Sequence, residues 1–333
     1  MPKDEVKNQE TKNIYLFYGE DSYSVNQKYR HWRKEFEKKY GDMNVDIFEG
    51  KSLNAQELMN SADSMPFLSE KKLIIVHDFF RDGKENEQKK IAEKVEEIND
   101  FCLMIFVENE KPDARTALYK KISKHGKIEE FHFVVGPKLN EWIQQEARKK
   151  GLELGLKEIQ MLAETVGPNL WQMKQEIDKL FLYNQKNKID ATVIEQLVSP
   201  NLSASVFKLT DYIGQKRSKE SLKTLQNLIE SSEDFIKIFF MIVRQFRLII
   251  QIADCLDQNL DKNEITRKLK EHPYVISNTI GQSKNFKTTQ LKKIYRHLLS
   301  IDSDLKKGKI KMSTGDNSEF RLALEKFIIE TCH

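Results

Sequence analysis

Apolar positions along the chain change their period once. Up to about residue 135 they come as short runs: Ile14-Tyr15-Leu16-Phe17-Tyr18, then 45–48, 73–76 and 101–107, with a weaker run over 128–134. Near-continuous apolar runs of this length predict strands buried on both faces, as in a parallel sheet. Between them, 22–39, 54–64, 84–98 and 114–124 read as helices, so the first part alternates strand and helix in βαβ fashion. From Pro137 onward the period becomes helical, over 139–150 (closed by Gly151), 156–166, 169–183 and 191–198. Ser199-Pro200-Asn201 punctuates the pattern. Beyond it Phe235, Ile238, Phe239, Ile242, Phe246, Ile249, Ile250 and Ala253 form one amphipathic stripe. Leu222, Leu225, Leu228 and Ile229 form a second, and Leu291, Ile294, Leu298 and Leu305 a third. The pattern predicts an α/β part followed by all-α parts, divided as 1–135, 136–200 and 201–333.

Composition narrows the class. Among 333 residues, 13 Gly and 7 Pro are too few for a loop-rich β or collagen-like chain. The 55 Lys+Arg nearly balance 51 Asp+Glu, a net charge of +4 that neither demands nor excludes nucleic acid. Cys102, Cys255 and Cys332 are isolated in sequence, which indicates no zinc ribbon or disulfide framework and implies a reducing, cytoplasmic setting. Residues 1–12 are charged throughout and carry no apolar core of a secretory signal. The greasiest stretch, 235–253, is interrupted by Lys237, Arg244, Gln245, Arg247 and Gln251, so no membrane span is expected.

A first strand running into a glycine turn raises the question of a phosphate-binding loop. Such a loop needs G-x4-G-K-[ST], because backbone N–H groups wrap the phosphates, a lysine neutralises them and a hydroxyl holds Mg²⁺. Here Gly19-Glu20-Asp21-Ser22-Tyr23-Ser24-Val25 has one glycine, two carboxylates where phosphates would lie, and no lysine before Lys28. An ordinary strand-to-helix turn capped by Asp21 or Ser22 fits better. Asp78 after the 73–76 run loosely mimics a Mg²⁺-binding strand end, but with no such loop it reads as a plain strand-end carboxylate. No G-x-S-x-G, H-E-x-x-H or EF-hand pattern occurs, and the seven histidines (31, 77, 125, 132, 272, 297, 333) never fall at ligand spacing. No catalytic residue, metal site or cofactor is expected.

Two binding features stand out. Lys306, Lys307, Lys309 and Lys311 could contact phosphates or simply form a solvated loop. Trp142 and Trp171 fall at helical core spacing, as packing anchors rather than base-stacking platforms. Met65-Pro66-Phe67-Leu68 is the stretch that resists a bland reading, because a turn between helix and strand should be polar and this one is apolar throughout. Either Phe67 and Leu68 tuck back under the sheet, or they form an exposed plug, stiffened by Pro66, for a partner's pocket.

Several segments, in order, carry a family resemblance: Tyr15-Leu16-Phe17-Tyr18-Gly19-Glu20-Asp21-Ser22-Tyr23, and Met65-Pro66-Phe67-Leu68-Ser69-Glu70-Lys71-Lys72-Leu73-Ile74-Ile75-Val76. Leu139-Asn140-Glu141-Trp142-Ile143, Glu176-Ile177-Asp178-Lys179-Leu180, Arg244-Gln245-Phe246-Arg247 and His272-Pro273-Tyr274-Val275 follow. Asp304-Leu305-Lys306 and Leu324-Glu325 complete the series, which spans nearly the whole chain. Together they resemble the delta subunit of bacterial DNA polymerase III.

The resemblance implies an AAA+-like α/β domain without a working nucleotide site, a helical lid domain and a C-terminal helical collar. It implies a clamp-loader subunit that binds the ring-shaped sliding clamp (the beta subunit) and holds one ring interface open. Other clamp-loader subunits would be met through the collar helices after about residue 206, and primed DNA within the assembly. ATP hydrolysis and nucleotidyl transfer would reside in other subunits. The clamp-contacting pair of the family falls on Phe67 and Leu68, with Met65 and Pro66 beside them; the order is Phe-Leu where some relatives carry Leu-Phe. A motor subunit would need the phosphate-loop lysine and a Ser-Arg-Cys arginine finger, and no Ser-Arg pair precedes any of the three cysteines. A stator subunit is expected to carry that finger as well. A helical nucleic-acid-binding protein has only the lysines near 307 in its favour.

Overall fold

The structure is a computed structural model, and it describes residues 13–184, 189–230, 234–312 and 316–332. Residues 1–12 and His333, read above from sequence, lie outside the described residues. Two compact units result, one of 1–134 with 169–171, the other of 135–168 with 172–333.

The first unit follows the alternating pattern. Its elements are β1 (Ile14–Gly19), α1 (Ser22–Tyr40), β2 (Val45–Glu49), α2 (Ala55–Asp63), β3 (Lys72–His77), α3 (Phe79–Asp82), α4 (Glu85–Lys94), β4 (Cys102–Glu108), α5 (Ala117–His125) and β5 (Lys127–Phe131). All strand pairs are parallel, in the order β2-β3-β4-β1-β5. On one face Leu16, Ile74, Met104 and Phe106 pack with Leu58 of α2, Ile91 of α4 and Leu118 and Ile122 of α5. On the other, Phe17, Leu73, Ile75 and Ile105 meet Val25 and Phe36 of α1. The central strands β1, β3 and β4 are buried on both sides, which is why their sequences are continuously apolar.

Three local readings shift. The helix expected over 84–98 stops at Lys94 and continues only as a 3₁₀ turn, Val95–Glu97. The helix expected from 114 starts at Ala117, because Thr116 caps it by accepting the Tyr119 N–H. The last strand ends at Phe131 rather than 134; as an edge strand it is only partly buried, so its apolar signal is weak.

The second unit is helical among its described residues: α6 (Pro137–Lys149), α7 (Leu156–Val166), α8 (Leu170–Asn184, whose first two residues belong to the first unit), α9 (Ala191–Leu197), α10 (Leu202–Gly214), α11 (Ser218–Glu230), α12 (Phe235–Asp257), α13 (Lys262–Leu269), α14 (Pro273–Ser283), α15 (Thr288–Lys306) and α16 (Ser318–Cys332). Ser199–Asn201 is tied to the helices before it: Gln172 Nε2 donates to Ser199 O (2.9 Å), and the Asn201 N–H donates to Thr165 O (2.9 Å). Asn201 then caps α10. The α12 stripe is the spine of a large core with Leu209, Leu225, Leu291, Leu298, Phe320 and Phe327.

One polar cluster lies inside that core. Gln245 of α12 donates to Gln282 of α14 (2.7 Å), whose own amide donates to Phe207 O (2.8 Å) and Thr210 Oγ1 (3.2 Å) of α10. All three cysteines are buried, and burial pushes the Cys102 thiol up to about 12. No helix among the described residues is long and apolar enough to cross a membrane.

Candidate functional site

The apolar tetrapeptide is outside the core, not tucked under it. Helix α2 ends at Ser64, whose extended backbone (φ −73°, ψ 131°) leads into Met65 and Pro66. Proline cannot extend the helix and holds its predecessor extended. Met65 is 80%, Phe67 57% and Leu68 92% exposed, while Pro66 is half-buried. Leu68 sits in the left-handed region (φ 48°), a conformation that costs a branched residue about 1–2 kcal/mol and persists only where its surroundings hold it.

What holds it is a pair of polar pins. At the base, Lys72 Nζ donates to Ser64 Oγ (2.7 Å) and pairs with Asp46 Oδ2 (2.8 Å) on β2. Burial alone would raise the Asp46 carboxyl, but hydrogen bonds from Lys72 and Ser61 and the Lys72 charge outweigh it, leaving it below the usual carboxylate range. This pin therefore stands above that range and is lost only on strong acidification. Near the tip, Asn44 Oδ1 accepts the Phe67 N–H (2.7 Å) and Asn44 Nδ2 donates to Phe67 O (3.0 Å). Sequence inspection did not single out Asn44, and no local pattern marks it. Met43, the residue before it, is also exposed, at 71%.

The strand ends where a nucleotide would lie have another use. A Cβ on Gly19 would come within 2.0 Å of Phe131 O, so glycine is required there by the approach of β5. Asp21 is the cap of α1, accepting the Ser24 N–H (3.1 Å), and burial raises its carboxyl. Asp78 accepts from Asn109 (3.2 Å) and lies 3.5 Å from Arg81. Glu108, 1% exposed, accepts the Phe80 N–H (2.8 Å) at the start of the short helix α3, which sequence reading missed. Each of these carboxylates is thus engaged in capping or bracing a turn: Asp21 at the start of α1, Asp78 beside Asn109 and Arg81, and Glu108 at the start of α3.

Burial, with the Asp78 charge adding to it and backbone N–H groups opposing, raises Glu108 to about 7 from an ordinary 4.5. Between those values the folded chain binds more protons than the unfolded one, so the Glu108 contribution to stability falls as pH rises from 4.5 to 7. In urea melts, Glu108→Gln is expected to gain about 2 kcal/mol relative to the parent between pH 5 and pH 8. A pH-independent difference would contradict this environment for Glu108.

The other sequence candidates are placed less distinctively. Lys306 pairs with Asp302 (2.8 Å) and Lys309 with Asp304 (3.4 Å), both carboxylates of α15; Lys307 and Lys311 are exposed. Trp142 is half-buried. Trp171 is not a core anchor: it is 40% exposed, its edge on Tyr23 and its indole N–H donating to Ser22 Oγ (3.0 Å).

Two family models match the chain. "DNA polymerase III, delta subunit" matches residues 15–132, from β1 through β5, and includes the exposed loop. "DNA polymerase III delta subunit, C-terminal domain" matches 203–330, helices α10 to α16. The chain belongs to the DNA polymerase III delta subunit family. Among members of the delta family, the DNA polymerase III subunit delta of Bacillus subtilis (strain 168) is 25% identical, over 98% of this chain and 94% of the relative. The probable DNA polymerase III subunit delta of Aquifex aeolicus (strain VF5) is 20% identical, over 65% of this chain and 63% of its own. The fold is similar to the solved Bacillus subtilis DNA clamp loader delta protein, with a TM-score of 0.67 at 24% identity, covering 96% of this chain and 95% of that one. The fold class expected from the sequence, a parallel-sheet α/β domain with all-α parts after it, is the one observed.

Proposed function

We propose that this chain is a clamp-loader subunit that seats Phe67 and Leu68, flanked by Met65 and Pro66, in an apolar pocket of the ring-shaped sliding clamp. Docking there holds one interface of the ring open for loading on primed DNA. The observation that carries this reading is the exposure of Met65, Phe67 and Leu68 on a loop pinned at base and tip. A soluble chain gains nothing from fixing large apolar side chains in water unless a partner covers them. If the contact is better with the open ring than the closed one, that difference shifts the clamp toward opening.

In this reading residues 1–135 grip the clamp, 136–200 act as the lid, and 201–333 form the collar that meets other clamp-loader subunits in the cytoplasm. Phe240, Leu299, Leu322 and Ile329, among the exposed apolar groups of residues 201–333, are available for those neighbours. The chain contributes no catalytic site or cofactor of its own, consistent with a first turn that has a single glycine and no lysine before Lys28. Of the four lysines, Lys307 and Lys311 are the stronger DNA candidates, since Lys306 and Lys309 have intramolecular carboxylate partners. Replacing both Lys307 and Lys311 by alanine is expected to reduce the salt slope of DNA binding by the assembled complex by about 2.

The deciding experiment uses closed clamps on circular DNA. The isolated chain should capture clamp in a pull-down and release it from the circle without ATP. A chain that does neither, or that hydrolyses ATP by itself, would refute the reading.

A further inference from the structure

Asn44 occupies a 3₁₀ turn (Asp42–Asn44) between the end of α1 and the start of β2, and is only 3% exposed. Both donors of its side-chain amide, and its oxygen, are engaged. Nδ2 donates to Tyr40 O (2.7 Å) and to Phe67 O (3.0 Å), and Oδ1 accepts the Phe67 N–H (2.7 Å). A side-chain amide has the same donor and acceptor groups as a peptide bond, so the Asn44–Phe67 pair imitates one rung of a β-ladder. This rung joins a loop tip to the rigid end of α1, across 23 residues of sequence.

The rung matters because of what it restrains. Phe67 and Leu68 would lower their free energy in the isolated domain by folding back onto apolar surface, yet they point outward at 57% and 92% exposure. Pro66 limits the backbone on one side and the left-handed Leu68 turns it on the other, but neither ties the tip to the scaffold. Among the described residues, the side chain that reaches the tip backbone is Asn44. We propose that Asn44 is a positioning residue: it holds the Phe67–Leu68 tip in the outward, docking-competent geometry, so that partner binding does not have to select a rare loop conformation. This rests on the reading of the loop as the clamp contact. Loss of the rung lowers the docking-competent fraction, and apparent affinity falls in the same proportion.

The test compares the full chain with Asn44→Ala and with Asn44→Ser, whose shorter hydroxyl cannot span to Phe67. Clamp affinity and amide hydrogen exchange at Phe67 and Leu68 are measured for each. Ile122→Val, a core change remote in sequence, serves as a control for general destabilisation. The expected result is a loss of affinity of about tenfold for both Asn44 variants, with faster exchange at Phe67 and Leu68. The control should change neither quantity. Wild-type affinity in a folded Asn44 variant, alongside lost binding in a Phe67→Ala/Leu68→Ala chain, overturns the positioning role while leaving the clamp reading intact. A parent chain that fails to bind clamp, or a Phe67→Ala/Leu68→Ala chain that binds normally, overturns both. An equal affinity loss in Ile122→Val also overturns the positioning role, because the effect would then follow stability alone.

Discussion

Replacing Phe67 and Leu68 together by alanine is expected to weaken clamp binding by about 10²–10⁴-fold while leaving the fold untouched. Burying a Phe or Leu side chain contributes about 1.5–3 kcal/mol, so the pair supplies roughly 3–6 kcal/mol. Leu68 is 92% exposed and can give nearly its whole side chain to a pocket; Phe67, at 57%, has less left to bury. Leu68→Ala alone should therefore cost at least as much as Phe67→Ala alone. Most of the loss should appear in the dissociation rate, since truncating an anchor does not alter charge steering. Because neither side chain belongs to the core, stability should stay within about 0.5 kcal/mol of the parent. Surface plasmon resonance with immobilised clamp, paired with a thermal melt, measures both. Parent-like affinity in the double variant would remove the clamp anchor from this loop.

The largest effect on stability is expected in the helical unit, at Phe246. It is fully buried on α12, edge-on to Phe286 (5.8 Å, 81°) and to Phe327 (6.1 Å, 86°). Phe246→Ala removes the transfer energy and leaves a cavity that these two rings cannot close, a loss of about 3–5 kcal/mol. For a unit of this size that corresponds to a drop of roughly 6–15 °C in its melting temperature. Calorimetry should show the helical transition moving. A shift of the whole trace below about 2 °C would mean that the aromatic cluster packs far more loosely than drawn.

How much of this could be read from the residues alone depends on the range of the forces involved. Strands β1, β3 and β4 were legible because burial on both faces leaves an unbroken apolar record. At the edges β2 and β5 carry mixed patterns, and the end of β5 was misjudged. Helix α3 escaped notice since four residues have no periodicity to detect; only its burial of Phe79 reveals it. Trp171 was read by spacing as a core residue, but it starts a helix and so lies at the edge of that helix's packing. The loop at Met65–Leu68 announced itself by being apolar where a turn should be polar. Its direction could not be known, because the outward geometry depends on Asn44, 23 residues earlier. Nothing in the neighbourhood of Asn44 distinguishes it from an ordinary turn asparagine.

The buried amides of Gln245 and Gln282 have a consequence for how the helical unit can move. If α12 slid by one turn against α14, about 5.4 Å, both amides would lose their mates and sit among leucine and phenylalanine side chains. Purely apolar neighbours would tolerate such a slip far better, since one oily contact resembles the next. With Thr210 and the Phe207 carbonyl completing the set from α10, the three helices share a single permitted alignment. Force applied at one end of this bundle should thus travel through it as through a keyed shaft, without the helices creeping past one another.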